Sequence, residues 1–580
     1  MSPLRESATA AEATAELSPG ALVPPPEPGS RTPTYQRAAA SETLEDYALR
    51  YAPVSFHRWT AFVVATTAIG GIAYFADRAS IVLTNGPKSW IAAILAAAVI
   101  IFVTGIPIAR PCAKYGVDMD LLTRGAGFGY LGSTLTSLIY ASCTFIFFPL
   151  EGSIMAQGLQ YAFGMPLPVG YLVSSLLIVP IVVFGRKALS KLHVWTQPIW
   201  LVLLALPFVM LVIIRPMAFQ ELGAFAGING TLDTFSWHAF GLGMGVALSL
   251  IAQIGEQARL PAVHAAQDRR ELSRVEHRDD GGRPGMGRPR CRQANRRRPP
   301  RSLGPGLGAS AAEATEPIRQ YADAIKPWVG GATVAFATIF VVTSQIKINT
   351  TNAYSGCLSW SNFFSRLTHR HPGRVYYVAP NVGVAMVLME LNMFSFPNAI
   401  LSLSSNVGVA WIGAVCADLL INKPMGWSPK YIEFRRAYLD RINPVGFGAM
   451  TIASVVSVAV FFKLFGDGWP YAFSPLIALV IAMTVSPLLA LATKGKYYLA
   501  RPNLVYGAEA GDVEATEGLS CATCGMAYER PDMADCSYSA ALVCSLCCVL
   551  EKRSHDECKR DGGVSLAPVL LGTPTVGAPA

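Results

Sequence analysis

The feature that most constrains this chain is a series of apolar runs, each about as long as a membrane is thick. A transmembrane helix needs roughly 20 mostly apolar residues. The chain is 52% hydrophobic and only 15% charged, whereas soluble domains average about 25% charged residues. The sequence therefore predicts an all-α polytopic membrane protein and excludes an ordinary soluble enzyme. The predicted spans are 60–83, 90–109, 133–161, 168–185, 196–214, 238–256, 329–363, 375–394, 399–421, 447–466 and 472–492.

Lysine and arginine concentrate in alternate connections between these runs, and this bias orients a membrane protein. If the positive loops face the cytoplasm, both termini are cytoplasmic in the inner (plasma) membrane. Residues 1–50 contain no apolar run and are predicted to be a disordered cytoplasmic tail. The basic residues are Arg110, Lys114 and Arg124; Arg186, Lys187 and Lys191; Arg366, Arg370 and Arg374; Lys423, Lys430, Arg435, Arg436 and Arg441; and Lys494, Lys496 and Arg501.

Counted from a cytoplasmic N-terminus, one crossing is missing between 257 and 328. Residues 259–302 carry 13 arginines and no lysine, and arginine at the bilayer centre costs about 2.5–3.5 kcal/mol, so this stretch cannot span. A one-base frameshift over 284–301 permits the apolar segment PGWVVLGAVKQTGGALLA. We therefore expect twelve spans in the intact protein, with the seventh lost to an aberrant Arg-rich segment at about 258–310. The alternative is a genuine basic cytoplasmic loop.

The same segment explains the net charge of the chain, which is +9. Its 13 arginines and five acids contribute +8 of that charge. The rest of the chain is nearly neutral, so no nucleic-acid partner is expected. The predicted partners are membrane lipid, a small substrate and a proton or cation.

Six segments, in a specific order, carry a resemblance to a known family. The chain resembles the bacterial nucleobase:cation symporter-1 family of purine, cytosine, allantoin and hydantoin permeases over about residues 45–502. The resemblance implies a leucine-transporter-type fold, with two inverted five-helix repeats, two extra helices and a substrate site midway across the membrane. The segments are EDYALRYAP (45–53), AIGG (68–71), DLLTRGAGFGYLGS (120–133), ALSLIAQIGEQ (247–257), INTTNAYSGCLSWSNFFSRL (348–367) and INPVGFG (442–448).

A secondary active transporter follows from this resemblance, with residues 51–502 as the transporter domain. It implies import of a nucleobase or related nitrogen heterocycle by alternating access. Two alternatives stay open: a transporter-like membrane sensor that signals through its cytoplasmic tail, and an inactive product of a damaged gene. No catalytic motif is present, so enzymatic activity is not expected.

Interrupted helices supply the first candidates for substrate binding. Transporters of this type break their first and sixth helices so that free helix ends can coordinate substrate. Gly70 and Gly71 lie in the first span, and glycines precede Gln253 in the sixth. Close packing of helices through small residues is the alternative.

Three further residues complete the predicted substrate site. Asn352 in the eighth span matches the asparagine that hydrogen-bonds the substrate in this family, although an interhelical hydrogen bond is the alternative. Phe147 and Glu151 in the third span are four residues apart and share one helical face. They form an aromatic shelf beside a polar group, which suits a flat heterocycle; a packing role is equally open.

Lys347 and Glu256 are the candidates for ion coupling. Sodium-coupled relatives present a Ser-Thr pair where this chain has Ile346 and Lys347. An ammonium there can occupy the cation's position, and a lysine inside a membrane is a functional candidate. We therefore expect proton-coupled or sodium-independent transport. The alternatives are that Lys347 pairs with Glu151 or Glu256, and that Glu256 simply faces the cytoplasm.

The C-terminal region, residues 515–562, is predicted to bind a metal ion. Cys521 and Cys524 form one Cys-x2-Cys pair, and Cys544 and Cys547 form a second, a spacing typical of four-thiolate zinc sites. Disulfides are the weaker interpretation for a cytoplasmic tail. A cytoplasmic protein partner is a further expectation for this region, and residues 563–580 are predicted to be disordered.

Overall fold

The structure is a computed structural model that describes part of the chain. The described residues are 49–50, 61–70, 87–214, 216–217, 235–258, 316–391, 397–501, 519–536, 538, 541–552, 554–556 and 559. Each of the eleven predicted spans contains helix in this described part. Gly71, the predicted disordered tail 563–580, residues 1–48 of the predicted tail 1–50 and all but the first residue of the aberrant Arg-rich segment 258–310 lie outside it.

The described part of the chain contains sixteen α-helices. Five 3-10 segments and two π segments are also present in this part. They include the π segments Arg124–Phe128 and Asp418–Asn422 and the 3-10 segments Leu248–Gln253 and Arg436–Tyr438. The helices are α1 (Ala61–Gly70), α2 (Pro87–Tyr115), α3 (Met119–Thr123), α4 (Gly132–Phe163), α5 (Leu167–Val183), α6 (Gly185–Ile214), α7 (Trp237–Ala247), α8 (Ile254–Ala258), α9 (Pro317–Val329), α10 (Thr333–Thr368), α11 (Val378–Glu390), α12 (Pro397–Ala417), α13 (Pro444–Phe461), α14 (Trp469–Ala472), α15 (Ser474–Thr493) and α16 (Ser545–Leu550).

Length and exposure together identify a multi-pass membrane protein. Eight helical segments of the described residues are long and apolar enough to cross a bilayer. Several of them present large apolar side chains outward, such as Leu95, Val99 and Phe102 on α2, which are 62%, 62% and 70% exposed. A soluble protein rarely exposes so continuous an apolar face, so these side chains contact lipid.

Polar side chains cap the starts of two membrane helices, and the sixth span is interrupted. The hydroxyl of Ser236 accepts a hydrogen bond from the amide of Ala239 and caps the start of α7, and the Asn443 side chain caps α13 in the same way. Such caps satisfy amide groups that have no partner within the helix. The sixth span is interrupted as its glycines predicted: α7 ends at Ala247, a 3-10 segment covers Leu248–Gln253, and α8 follows.

Glycines in two of the resembling segments allow those segments to pack against each other. Gly127 adopts a φ of +84°, and a β-carbon there would lie 3.1 Å from the backbone nitrogen of Gly446. A β-carbon on Gly125 would lie 2.5 Å from the carbonyl oxygen of Glu433. Only a residue without a side chain fits these approaches, so 120–133 and the 433–446 region form one packed unit.

The residues on either side of the undescribed stretch 259–315 both contact helix α4, so their positions along the membrane domain can be compared. Gly255 lies against Tyr140, near the start of α4, whereas Ile318 lies against Gly158, near its end. Eighteen residues of helix span about 27 Å, close to the roughly 30 Å of a bilayer's hydrocarbon core. The described residues on the two sides of the stretch therefore lie near opposite ends of α4, a separation comparable to the thickness of that core.

The C-terminal region is not helical throughout, which limits the all-α prediction to the membrane domain. We call the described residues from 519 to 559 the Cys-rich module. It contains two antiparallel pairs, β1 (Leu519–Ser520) with β2 (Ala527–Tyr528) and β3 (Met533–Cys536) with β4 (Ala541–Cys544), followed by α16. The module packs against the ends of the membrane helices and shares a hydrophobic core with them that includes Leu49, Tyr130 and Tyr438.

Candidate functional site

Helix α10 carries two different polar faces into the middle of the protein. Asn349 contacts α4 and has Asn352 beside it, while Ser344, Lys347 and Thr351 contact α6. At about 100° per residue, Lys347 and Asn352 are separated by roughly 140° around the helix. The predicted substrate residue and the predicted coupling residue therefore lie on separate faces of α10.

The face toward α4 forms a small amide cluster. The side-chain nitrogen of Asn352 lies 3.4 Å from the side-chain amide of Asn349. In the side-chain orientation that gives both its nitrogen and its oxygen a hydrogen-bond partner, Asn349 donates to the carbonyl of Phe148 at 3.3 Å and accepts from the amide of Gly152 at 3.0 Å. Asn349 thus ties α10 to α4 at the position of the predicted aromatic shelf.

The structure brings three of the predicted substrate elements together. Phe147 shares a hydrophobic cluster with Ile348 of α10 and with Leu248 and Ile251 of the broken sixth helix. Glu151, one turn after Phe147, is also buried. The interrupted helix, the aromatic side chain and α10 consequently border one continuous hydrophobic cluster.

Two other predicted residues lie in the surrounding elements. Gln253 ends the 3-10 segment and is buried, and Gly70 ends α1, which packs against α6 and α10. The sixth-span glycines also have packing roles: a β-carbon on Gly243 would lie 2.7 Å from the Trp90 ring, and one on Gly241 would lie 2.9 Å from the carbonyl of Ala472.

The face of α10 toward α6 surrounds a fully buried lysine. The ammonium of Lys347 donates to Oε1 of Gln197 at 2.5 Å and lies 4.9 Å from the ring centre of Trp200. No salt bridge to Lys347 is present among the described residues, so neither Glu151 nor Glu256 lies within 4.0 Å of it. Amide and aromatic groups, rather than a carboxylate, hold this lysine.

Sequence reasoning missed the residues of α6 that build this site. His193, Gln197 and Trp200 recur at intervals of four and three and so share one helical face. His193 Nδ1 lies 3.0 Å from the carbonyl oxygen of Thr67 in α1, and its Nε2 lies 3.4 Å from the hydroxyl of Thr351 in α10. Three polar or amphipathic residues on one face of an otherwise apolar helix were the available signal.

Glu256 lies away from this lysine. It is buried in α8, where one carboxylate oxygen accepts a hydrogen bond from the hydroxyl of Tyr140 at 3.5 Å. Tyr140 also contacts Trp411 edge to face, with ring centres 6.3 Å apart. The carboxylate is therefore placed between α4 and α8 instead of facing the cytoplasm.

Four buried cysteines in the Cys-rich module converge as the metal prediction required. The Sγ atoms of Cys521, Cys524, Cys544 and Cys547 all lie within 4.8 Å of one another. The amide of Cys544 donates to Sγ of Cys521 at 3.3 Å, and the amide of Cys547 donates to Sγ of Cys544 at 3.4 Å. Hydrogen bonds from the neighbouring thiols lower the pKa of Cys521; the bond with Cys524 has the largest effect, followed by those with Cys544 and Cys547. This cluster can hold a metal ion.

The sequence also allows a second metal site built from Cys536, Cys548, Cys558 and His555, and the described residues give this prediction no support. Cys536 is half-buried and Cys548 is buried, but neither belongs to the four-cysteine group, which is the single metal-compatible cluster in the described part of the chain. Cys558 lies outside the described residues.

The fold can be compared with solved structures. No protein-family model and no curated protein matches this chain. The chain matches a Na+-coupled sialic acid symporter in a substrate-bound outward-open state, with a TM-score of 0.51 and 10% identity, over 78% of this chain and 93% of that chain. The chain has a leucine-transporter-type fold.

Further structures match this leucine-transporter-type fold at lower TM-scores. One is Mhp1, a nucleobase-cation-symport-1 family transporter in a closed conformation with bromovinylhydantoin bound, at 16% identity and a TM-score of 0.49, over 77% of this chain and 94% of that one. Another is the Eremococcus coleocola manganese transporter, at 12% identity and a TM-score of 0.36, over 80% and 96% of the two chains. These neighbours are transporters, not enzymes.

Proposed function

We propose that this protein is a secondary active transporter that imports a nucleobase or a related nitrogen heterocycle across the inner membrane by alternating access, with both termini cytoplasmic. The cluster of Phe147, Asn349 and Asn352 beside the broken sixth helix supports the substrate class. An aromatic ring can stack on a flat heterocycle, and an amide offers a donor and an acceptor together. Gly70, Gly71, Glu151 and Gln253 complete the proposed substrate site.

The buried environment of Lys347 carries the proposal that transport is sodium-independent or proton-coupled. Its ammonium lies between α10 and α6, where Gln197 is its hydrogen-bond acceptor and Trp200 its aromatic neighbour. A fixed positive charge there repels a second cation, and a lysine that can lose its proton can couple transport to a proton gradient. Glu256 is the second proposed coupling residue.

Radiolabelled uptake into proteoliposomes tests this proposal. Uracil, cytosine, allantoin and a hydantoin are screened with a sodium gradient, a proton gradient or neither, using the chain as printed and a version with residues 284–301 restored to the apolar reading. We expect uptake that sodium does not stimulate and that Lys347→Met reduces at least tenfold. Lys326→Met, at an exposed position on α9, is the matched control and should transport normally.

Two results would contradict the proposal in different ways. Uptake that sodium stimulates, and that Lys347→Met leaves unchanged, removes Lys347 from coupling. Saturable binding of a heterocycle without accumulation or exchange indicates a receptor instead of a carrier.

For the Cys-rich module we propose zinc as the bound metal. Four thiolates from two Cys-x2-Cys pairs match the ligand set of structural zinc sites, in which zinc–sulfur distances of about 2.3 Å fix a tetrahedron. Amide-to-sulfur hydrogen bonds such as those of Cys544 and Cys547 orient the thiolates. A closed four-thiolate site leaves no open position for a reacting water, so its proposed role is structural.

A further inference from the structure

The Cys-rich module is joined to the membrane domain by buried arginines. Arg436, which is 5% exposed, donates to the carbonyl oxygens of Cys548 and Glu551 at 2.8 and 2.5 Å. It also donates to the carboxylate of Asp556 at 2.9 Å. The neighbouring Arg435 is fully buried and donates to the carbonyl oxygen of Met533 at 2.7 Å. A buried guanidinium with several acceptors makes a specific contact that is costly to break.

Two of the four acceptors of these arginines adjoin the four-cysteine cluster. Cys548 directly follows Cys547, and Met533 pairs with Cys544 across the β3–β4 hairpin. Since a bound metal fixes the position of both cysteines, it also fixes the carbonyl groups that the arginines contact. In a small metal-binding unit the binding energy of the metal is largely folding energy. The contact surface is therefore expected to exist only while the metal is bound.

The module touches parts of the carrier that are far apart in sequence. Arg50, before α1, lies over the ring of Tyr528 at 5.0 Å, and His369, at the end of α10, lies 3.0 Å from the carbonyl oxygen of Val549. Tyr130, before α4, belongs to the shared hydrophobic core. One small unit thus contacts the chain before α1 and bridges the ends of α4 and α10 on the face that carries the positive loops.

We propose that the Cys-rich module is a metal-dependent brace: with zinc bound it holds the chain at Arg50 and the cytoplasmic ends of α4 and α10 together and slows the opening of that face, and loss of the metal releases it. The effect on uptake rests on the proposed transport function, because alternating access requires those ends to separate. The docking itself does not depend on transport.

Hydrogen–deuterium exchange of the full chain, purified with zinc and then treated with a membrane-permeant chelator, tests the docking. Peptides covering 128–133 and 436–443 contain amides that are hydrogen-bonded at this face, such as Tyr130 N–H to the Asp440 carbonyl at 2.8 Å. We expect exchange in both peptides to accelerate at least tenfold on chelation and to recover when zinc is restored. Recovery shows that the membrane domain has not unfolded.

Variants separate the metal from the contact surface. The double variant Cys521→Ser/Cys524→Ser should contain no zinc and should exchange like the chelated protein, whereas Cys536→Ser, a thiol of the same module outside the cluster, should behave as the parent. Arg436→Gln should keep one zinc per chain yet exchange like the chelated protein. Its matched control, Arg370→Gln, changes an exposed arginine near the same face.

The outcomes distinguish failure of the brace from failure of the transport function. Equal exchange with and without zinc overturns the brace, whatever uptake shows. Accelerated exchange with no uptake in either state supports metal-dependent docking and contradicts the transport function. Where uptake is measurable, release should raise the initial rate at least threefold, and an unchanged or lower rate contradicts the restraint on opening.

Discussion

At the residue scale, the placement of one buried charge is the most informative feature of the membrane domain. Lys347 is fully buried, with an amide and an aromatic ring as its neighbours and no salt bridge in the described part of the protein. Burying an ammonium costs several kcal/mol even when hydrogen bonds compensate in part. A protein that keeps such a charge gives up stability for function.

Replacing this lysine should therefore stabilise the fold while it impairs coupling. We expect Lys347→Met to raise the free energy of unfolding by about 1–3 kcal/mol, because a similar volume is retained and the buried charge is removed. Thermal unfolding of the purified protein in detergent measures the change, with Lys326→Met as the exposed control. A destabilisation of similar size would show that the contacts of the ammonium outweigh its burial.

At the scale of single elements, the sixth span shows how one sequence signal can have two physical causes. Glycines there predict an interrupted helix, and the interruption is present between α7 and α8. The glycines themselves, however, precede the 3-10 segment, and Gly241 and Gly243 lie against Ala472 and Trp90. Close packing explains these two positions, whereas the broken backbone at Leu248–Gln253 is the part that can line a site.

A pair of alanine substitutions separates packing from helix propensity. A β-carbon on Gly243 would lie 2.7 Å from Trp90, so Gly243→Ala should destabilise the protein by about 1–3 kcal/mol through overpacking. The nearest atom to a β-carbon on Gly245 is 3.6 Å away, so Gly245→Ala should be neutral or stabilising by up to about 1 kcal/mol. Thermal unfolding compares the two, and equal effects would contradict the packing explanation.

At the scale of the whole molecule, the arrangement of the two halves depends on the stretch 259–315. The described residues on its two sides, Gly255 and Ile318, lie near opposite ends of α4. The positive loops before and after the stretch nevertheless reach the same Cys-rich module, through Tyr130 upstream and His369 downstream. Both observations agree with the additional crossing between 257 and 328 that the charge bias requires.

Cysteine labelling tests this topology in intact cells. Single substitutions at exposed positions, Lys114→Cys, Asp323→Cys and Arg370→Cys, are made in the version whose residues 284–301 are restored to the apolar reading. The cells are treated with a membrane-impermeant maleimide, and labelling is compared with the same version without these substitutions. We expect Asp323→Cys to be labelled from outside, and the other two only after permeabilisation. Labelling of Asp323→Cys only after permeabilisation would mean that the chain does not cross the membrane between 258 and 316.

The sequence alone determined the properties that depend on short stretches of chain. The apolar runs predicted the membrane helices because a bilayer demands about 20 apolar residues for each crossing. The two Cys-x2-Cys pairs predicted the four-thiolate cluster, because local spacing already presents two thiols together. Eight helical segments of the described residues are long and apolar enough to cross a bilayer, and the four sulfur atoms converge as the cysteine spacing predicts.

Only the tertiary structure decided which groups meet across the fold. Lys347 and Gln197 are 150 residues apart, and Arg436 and Cys548 are 112 apart, so no local pattern could pair them. The lysine lies against an amide instead of a carboxylate, and the module lies on the carrier instead of projecting from it. Helical periodicity fixes the face on which a residue lies, but the packing of distant helices fixes what that face contacts.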